Sequence, residues 1–128
     1  MLNMKKLITK LLNAVKTDYI VEQGTSGIWT YRKWNSGAAE CWAKMTSNDS
    51  LAAGTHKAFS TPLPTFLINS TPFVITSGGG SAQPRCFALY SNVYGSSGAY
   101  GTETYVRNEG GSACASQWAY FYVKGTWK

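Results

Sequence analysis

The sequence predicts a mainly β chain, an antiparallel β-sandwich that is jelly-roll-like in its run of short strands, preceded by one short N-terminal α-helix. Two observations on patterning carry this. The helical apolar rhythm of residues 1–17 does not return after Val21. From there, aromatic and β-branched runs alternate with clusters of Gly, Pro, Asn and Ser, which is the rhythm of strands and turns. Composition is the third: hydrophobic residues make up 44% and aromatics 14%, enough for a core. The chain of 128 residues fits one modest domain with an attached element, read as a helix over 1–20 and a head over 21–128.

In the helix, Met1, Met4, Ile8, Leu11 and Val15 follow a 3-4-3-4 spacing, the a/d seam of a short coiled coil. Leu7, Leu12 and Ala14 widen the stripe, and lysines take the other faces. So short a helix is marginal alone, because nucleation is costly. Two readings stay open: an amphipathic helix lying on its own domain, or self-association through Met4, Ile8, Leu11 and Val15. A wide stripe with β-branched seam positions suits three strands, aided by contacts between the following domains. Lys10 and Asn13 interrupt the apolar region and no small-x-small site follows, so the segment reads as a retained helix rather than a signal peptide. No run approaches the roughly 20 apolar residues of a membrane span, and no membrane partner is expected.

Residues 28–34 and 38–45 read as two strands joined by Asn35-Ser36-Gly37, a hairpin signal. Ile28, Thr30, Arg32 and Trp34 share one face, and Trp29, Tyr31 and Lys33 the other. Both faces carry large apolar groups, so the strand is buried on two sides, or buried on one and used on the other. Pro62, Pro64 and Pro72 then punctuate short extended pieces and suit edges or strand starts. Gly78-Gly79-Gly80-Ser81 reads as a flexible loop; it lacks the Gly-Lys-Ser/Thr of a phosphate loop. "RCFALYSNVYG" and "TETYVR" are further strands, and the last sets Trp118, Tyr120 and Tyr122 against Ala119, Phe121 and Val123. Trp29, Trp34, Trp42, Trp118 and Trp127 are assigned to the core or to a subunit interface.

Charge and chemistry narrow the function. Charged residues are 14%, well below the usual quarter of a soluble domain and more typical of extracellular β-proteins than of cytosolic enzymes. Of the net +6, Lys5, Lys6, Lys10 and Lys16 supply +4, so the basic excess lies on the helix and no nucleic-acid partner is expected. Cys41, Cys86 and Cys114 lack any C-x-x-C, and His56 is the one histidine; neither a disulfide framework nor a zinc site follows, and no metal or cofactor is expected. One bridge between cysteines stays open. The acids Asp18, Glu22, Glu40, Asp49, Glu103 and Glu109 show no paired spacing for glycoside hydrolysis. His56, Asp49 and a serine could compose a triad only without a nucleophile elbow, and His56 reads as a solvated loop residue. A non-enzyme is expected.

The string "DYIVEQGTSGIWTYRKWNSGAAECWAKM" at 18–45 resembles a segment of small fibre and tail-tip proteins of bacteriophages and prophages of Gram-positive bacteria, where it joins an N-terminal coil to a β-rich head. The closing "VKGTWK" at 123–128 is similar to their ending, while 46–117 matches weakly. Ala38, Ala39 and Ala43 depart from the pattern, which bears on local packing. The resemblance implies a homotrimeric virion component, assembled in the bacterial cytoplasm and acting outside it, whose head touches the host surface.

The expected function is therefore a receptor-binding fibre whose head contacts host cell-surface polysaccharide and whose helix meets another virion protein of tail or capsid. The alternative is a capsid-attached head fibre or decoration protein with a structural role. The candidate ligand surface is Tyr90, Asn92, Tyr94, Tyr100, Glu103, Tyr105 and Arg107. Tyrosines beside Gly and Ser are the low-entropy, amphipathic contacts that recognition loops favour, and aromatic faces suit the C–H faces of sugars.

Overall fold

The computed structural model describes residues 3–68, 71–81 and 85–128, with the backbone alone for 13–16. It is mainly β, with antiparallel sheets and one short helix, α1 (Met4–Lys16). Asn3 caps α1: its side-chain oxygen accepts the Lys6 N–H at 3.2 Å, the role for which an Asn at a helix start is favoured. Met4, Ile8, Leu11 and Leu12 all stand exposed, so the apolar stripe faces solvent in a single chain. The Val15 side chain and Met1 lie outside the described residues.

Among the described residues nine strands follow: β1 (Ile20–Ser26), β2 (Trp29–Trp34), β3 (Ala38–Ser47), β4 (His56–Pro62), β5 (Phe73–Gly80), β6 (Cys86–Ala88), β7 (Asn92–Tyr94), β8 (Gly101–Asn108) and β9 (Gln117–Thr126). Sheet one has the order β1-β2-β3-β9-β5; sheet two has β4-β8-β6, with β7 also on β8. The β2–β3 hairpin turns at Gly37, whose φ of 101° suits glycine and whose N–H reaches the Trp34 carbonyl at 3.0 Å. The same turn is a socket for the chain leaving the helix. Ser36 donates from N–H and Oγ to the Asp18 carboxylate at 3.2 and 2.9 Å. Tyr19 and Asn35 exchange two more bonds, both 3.0 Å.

Period-two alternation sorts side chains between core and solvent. Trp29, Ala39, Cys41, Ala43, Ala119, Phe121 and Val123 turn inward from sheet one and meet Phe59 and Val106 of sheet two, with Leu63 and Leu67 closing one end. The small residues of β3 and β9 leave room for Trp29 and Phe121, whose rings meet at 6.2 Å; each such fully buried side chain contributes about 1.5–3 kcal/mol. Trp29 Nε1 donates to the Pro62 carbonyl at 2.8 Å, tying the sheets together, and Pro62 ends an edge strand, where its missing N–H costs no ladder bond. Trp127 packs partly on the core, while Trp34, Trp42 and Trp118 are half-buried.

The triglycine is not a loop. Gly78, Gly79 and Gly80 finish β5 and pair with Ala119, Trp118 and Gln117. Close approach explains them: a Cβ at Gly78 would sit 2.8 Å from Val106 Cγ2, and one at Gly80 2.5 Å from Cys114 Sγ. "RCFALYSNVYG" is two short strands along β8: Leu89 still donates to the Tyr105 carbonyl at 2.9 Å, then Tyr90 and Ser91 together span the one position of Thr104 before Asn92 pairs with Glu103.

Candidate ligand-binding face

The central strand of sheet two, β8, turns Thr102, Thr104, Val106 and Asn108 inward and Glu103, Tyr105 and Arg107 outward. Its antiparallel register with β4 sets His56, Ala58 and Ser60 beside Arg107, Tyr105 and Glu103. On the other flank Phe87 pairs with Arg107, Asn92 with Glu103 and Tyr94 with Gly101. The outer face is therefore an aromatic track with a polar end. His56 stacks on Tyr105 at 4.7 Å, and Tyr90 meets the other side of Tyr105 edge-on at 5.2 Å. Asn92 Nδ2 donates to Glu103 Oε1 at 3.2 Å, and the Tyr94 and Ser60 hydroxyls share a bond of 2.9 Å. Arg107 pairs with Glu109.

Hydroxyls hold this face from below, those of Thr102 and Thr104 fully buried and that of Thr76 half-buried. Thr104 Oγ1 donates to the Tyr90 carbonyl at 2.5 Å, Thr76 Oγ1 reaches the same carbonyl at 3.3 Å, and Thr102 Oγ1 donates to the Asn92 carbonyl at 2.8 Å. The strand bearing the tyrosines is thus fixed by the core, the preorganisation a binding face needs. Burial pushes the Tyr90 phenol up to about 12, with the bond to Tyr105 and the Glu103 charge adding to it. It remains a neutral hydroxyl at physiological pH.

Six of the seven candidate residues thus meet on one solvent-facing surface. Tyr100 does not: it packs partly on the core, and its carbonyl accepts the Leu63 N–H at 2.8 Å. His56, Ser60 and Phe87 belong to the face but were not among the candidates. The alternation of "HKAFSTP", with Phe59 and Thr61 buried, was the available signal for His56 and Ser60. His56 opens a strand rather than sitting in a loop. Asp49 turns to Lys57 at 2.5 Å and to Ser47, so its carboxylate is not given to His56. Lys57 and Ser47 together hold that carboxyl below its usual range.

Sheet one presents a second, more apolar face. Ile28, Thr30, Trp42, Lys44, Ile75, Tyr120 and Tyr122 line an open groove of about 430 Å³. Arg32 lies over Trp42 and Lys44 over Tyr120, each at 5.2 Å. Tyr122 donates to Glu40 at 2.5 Å, which raises its phenol above its ordinary value, and Arg32 approaches Glu40 at 3.7 Å. The strands carrying Ile28–Trp34 are thus buried on one side and open on the other.

No protein-family model and no curated protein sequence matches the chain. The solved structure of an N-truncated R1-type pyocin tail fibre is similar, with a TM-score of 0.52 at 9% identity over 90% of this chain and 93% of that one. At that identity the likeness is one of fold: this chain shares, coarsely, the fold of a phage-tail-like fibre.

Proposed function

We propose that the protein is a non-enzymatic fibre component of a phage or phage-like particle, whose sheet-two face contacts host cell-surface polysaccharide. The observation that carries this reading is the His56–Tyr105–Tyr90 track, with Asn92, Glu103 and Arg107 beside it, on a fibre-like fold. Aromatic rings offer stacking surface to the C–H faces of a sugar, and flanking amide, carboxylate and guanidinium groups hold its hydroxyls. The carboxylates support a binding role: Glu22, Glu40, Asp49 and Glu109 pair with cations, while Asp18 and Glu103 accept from Ser36 and Asn92. Three copies assemble through α1 and the heads, so that weak single sites act together. The same helix joins the fibre to another virion protein, and the assembled particle carries it outside the cell.

Binding of the purified protein to host cells and to their isolated cell-wall and capsular polysaccharides tests this. Tyr105→Ala and Tyr90→Ala should each weaken binding about tenfold, a loss of about 1.4 kcal/mol of stacking contact, while Trp42→Ala leaves it intact. Wild-type binding by both folded tyrosine variants would remove the face from consideration. Absence of any host binding would favour the structural, capsid-attached reading. Steady release of reducing ends from the polysaccharide would overturn the non-enzymatic role.

A further inference from the structure

Two of the three cysteines, far apart in sequence, converge at one end of the sandwich. Cys86 opens β6, at the edge of sheet two, and Cys114 sits in a short bridge to Leu51 just ahead of β9. Both sulfurs face the side of Gly80 where a side chain would otherwise stand. A Cβ placed on Gly80 would lie 2.5 Å from Cys114 Sγ and 2.6 Å from Cys86 Sγ, so the sulfurs flank a single point and are at most about 5 Å apart. That is close enough for a bridge to need only small side-chain adjustment. Both thiols are free, Cys114 is fully buried, and Cys86 is half-buried and reachable from solvent.

We propose that Cys86 and Cys114 form a redox-controlled disulfide that locks the edge of sheet two to the start of β9. The reaction has two exchanges with a low-molecular-weight disulfide. The Cys86 thiolate attacks one sulfur of the reagent, and the other half of the reagent leaves as a thiolate and takes up a proton. The Cys114 thiolate then attacks Cys86 Sγ, forms the protein bridge and expels the second half. Two protein thiols and one reagent disulfide become one protein disulfide and two reagent thiols.

The surroundings of Cys114 suit the second step. Burial pushes its thiol up, but hydrogen bonds from Ser81, Cys86 and Gln117 and the Ser116 backbone outweigh that and bring it to about 7. Ser81 Oγ lies 3.4 Å from its sulfur. Cys86 is pushed up to about 11, by burial first and then by its bond to Cys114, so the outer thiol shares its proton with the inner sulfur. Cys41 is a built-in control: it is fully buried on β3 and pushed up to about 12, mainly by burial.

The test uses the full chain, reduced and then treated with excess oxidised glutathione. Intact mass should fall by two hydrogens, a non-reduced peptide map should join Cys86 to Cys114, and N-ethylmaleimide added after denaturation should label Cys41 alone. The bridge should raise Tm by roughly 10 °C, reversibly with dithiothreitol, because it closes a long loop in the unfolded chain. Labelling of Cys86 and Cys114 after treatment, or a glutathione that stays on Cys86, would overturn the bridge. A bridge without a gain in Tm would overturn the lock. Cys86→Ala should lose both mass change and gain, and if it does not fold the wild-type peptide map decides alone.

Discussion

Single side chains in the head do work that their types alone do not announce. Asn108 is fully buried and fully satisfied: Nδ2 donates to the carbonyls of Leu51 and Ser112 at 3.0 and 2.9 Å, and Oδ1 accepts the Gly110 N–H at 2.9 Å. Asn108→Leu would remove all three bonds, leaving the Leu51 carbonyl with the Cys114 N–H alone and the Ser112 carbonyl and Gly110 N–H without this partner, and a loss of about 1–3 kcal/mol is expected in urea unfolding. Gly101 acts differently. A Cβ there would meet the Tyr94 ring at 2.4 Å, yet the contact is with the far end of an exposed side chain that has room to turn outward. Gly101→Ala should therefore fold, lift Tyr94 from Ser60 and weaken polysaccharide binding with little change in Tm.

Among the elements, the β1–β2 hairpin carries an ion pair in which Lys33 Nζ lies 2.5 Å from Glu22 and 4.5 Å from the Phe66 ring. The bond to Lys33 holds the Glu22 carboxyl below its ordinary 4.5. A carboxyl with a lowered folded value stabilises above its unfolded value and loses that contribution as pH falls through the folded one. Amide exchange in β1 should thus be slower in wild type than in Glu22→Gln at pH 6. The difference should vanish as pH falls through the lowered value of that carboxyl and shrink in high salt, since exposed pairs are screened. The β2–β3 hairpin and the alternation of β9 were legible in the sequence because turn residues and period-two patterning are local signals. β1 was not, because "IVEQGTS" is almost wholly exposed and shows no alternation. The triglycine misled for the opposite reason: its glycines answer to Val106, Trp118 and Cys114, contacts that only the packed sandwich creates. The ligand face was half legible, since tyrosines near Gly and Ser stood out, whereas the placement of His56 and Phe87 depends on pairing across strands.

At the scale of the whole molecule, the stripe of α1 and the aromatic groove of sheet one both stand open in the single chain, apart from the ligand face. If three copies associate through them, light scattering behind size exclusion should give three times the 13.9 kDa of one chain. Removing residues 1–17 should lower that mass at micromolar concentration and abolish incorporation into particles, while leaving host binding by the head measurable at higher concentration. A monomer of the full chain under the same conditions would contradict the assembly.

The socket at the β2–β3 turn also decides how the molecule answers a pull. Ile20 lies opposite Trp34 at the open end of the β1–β2 hairpin, so tension arriving from α1 would peel that ladder one rung at a time. Peeling loads bonds in sequence, the weakest way to resist force. Asp18 and Tyr19 meet that force first, through four hydrogen bonds to Ser36 and Asn35 placed ahead of the ladder. Because these share the load side by side, they act as strain relief: a tug on the helix is spent on a clasp at the base of the hairpin, and sheet one stays zipped behind it.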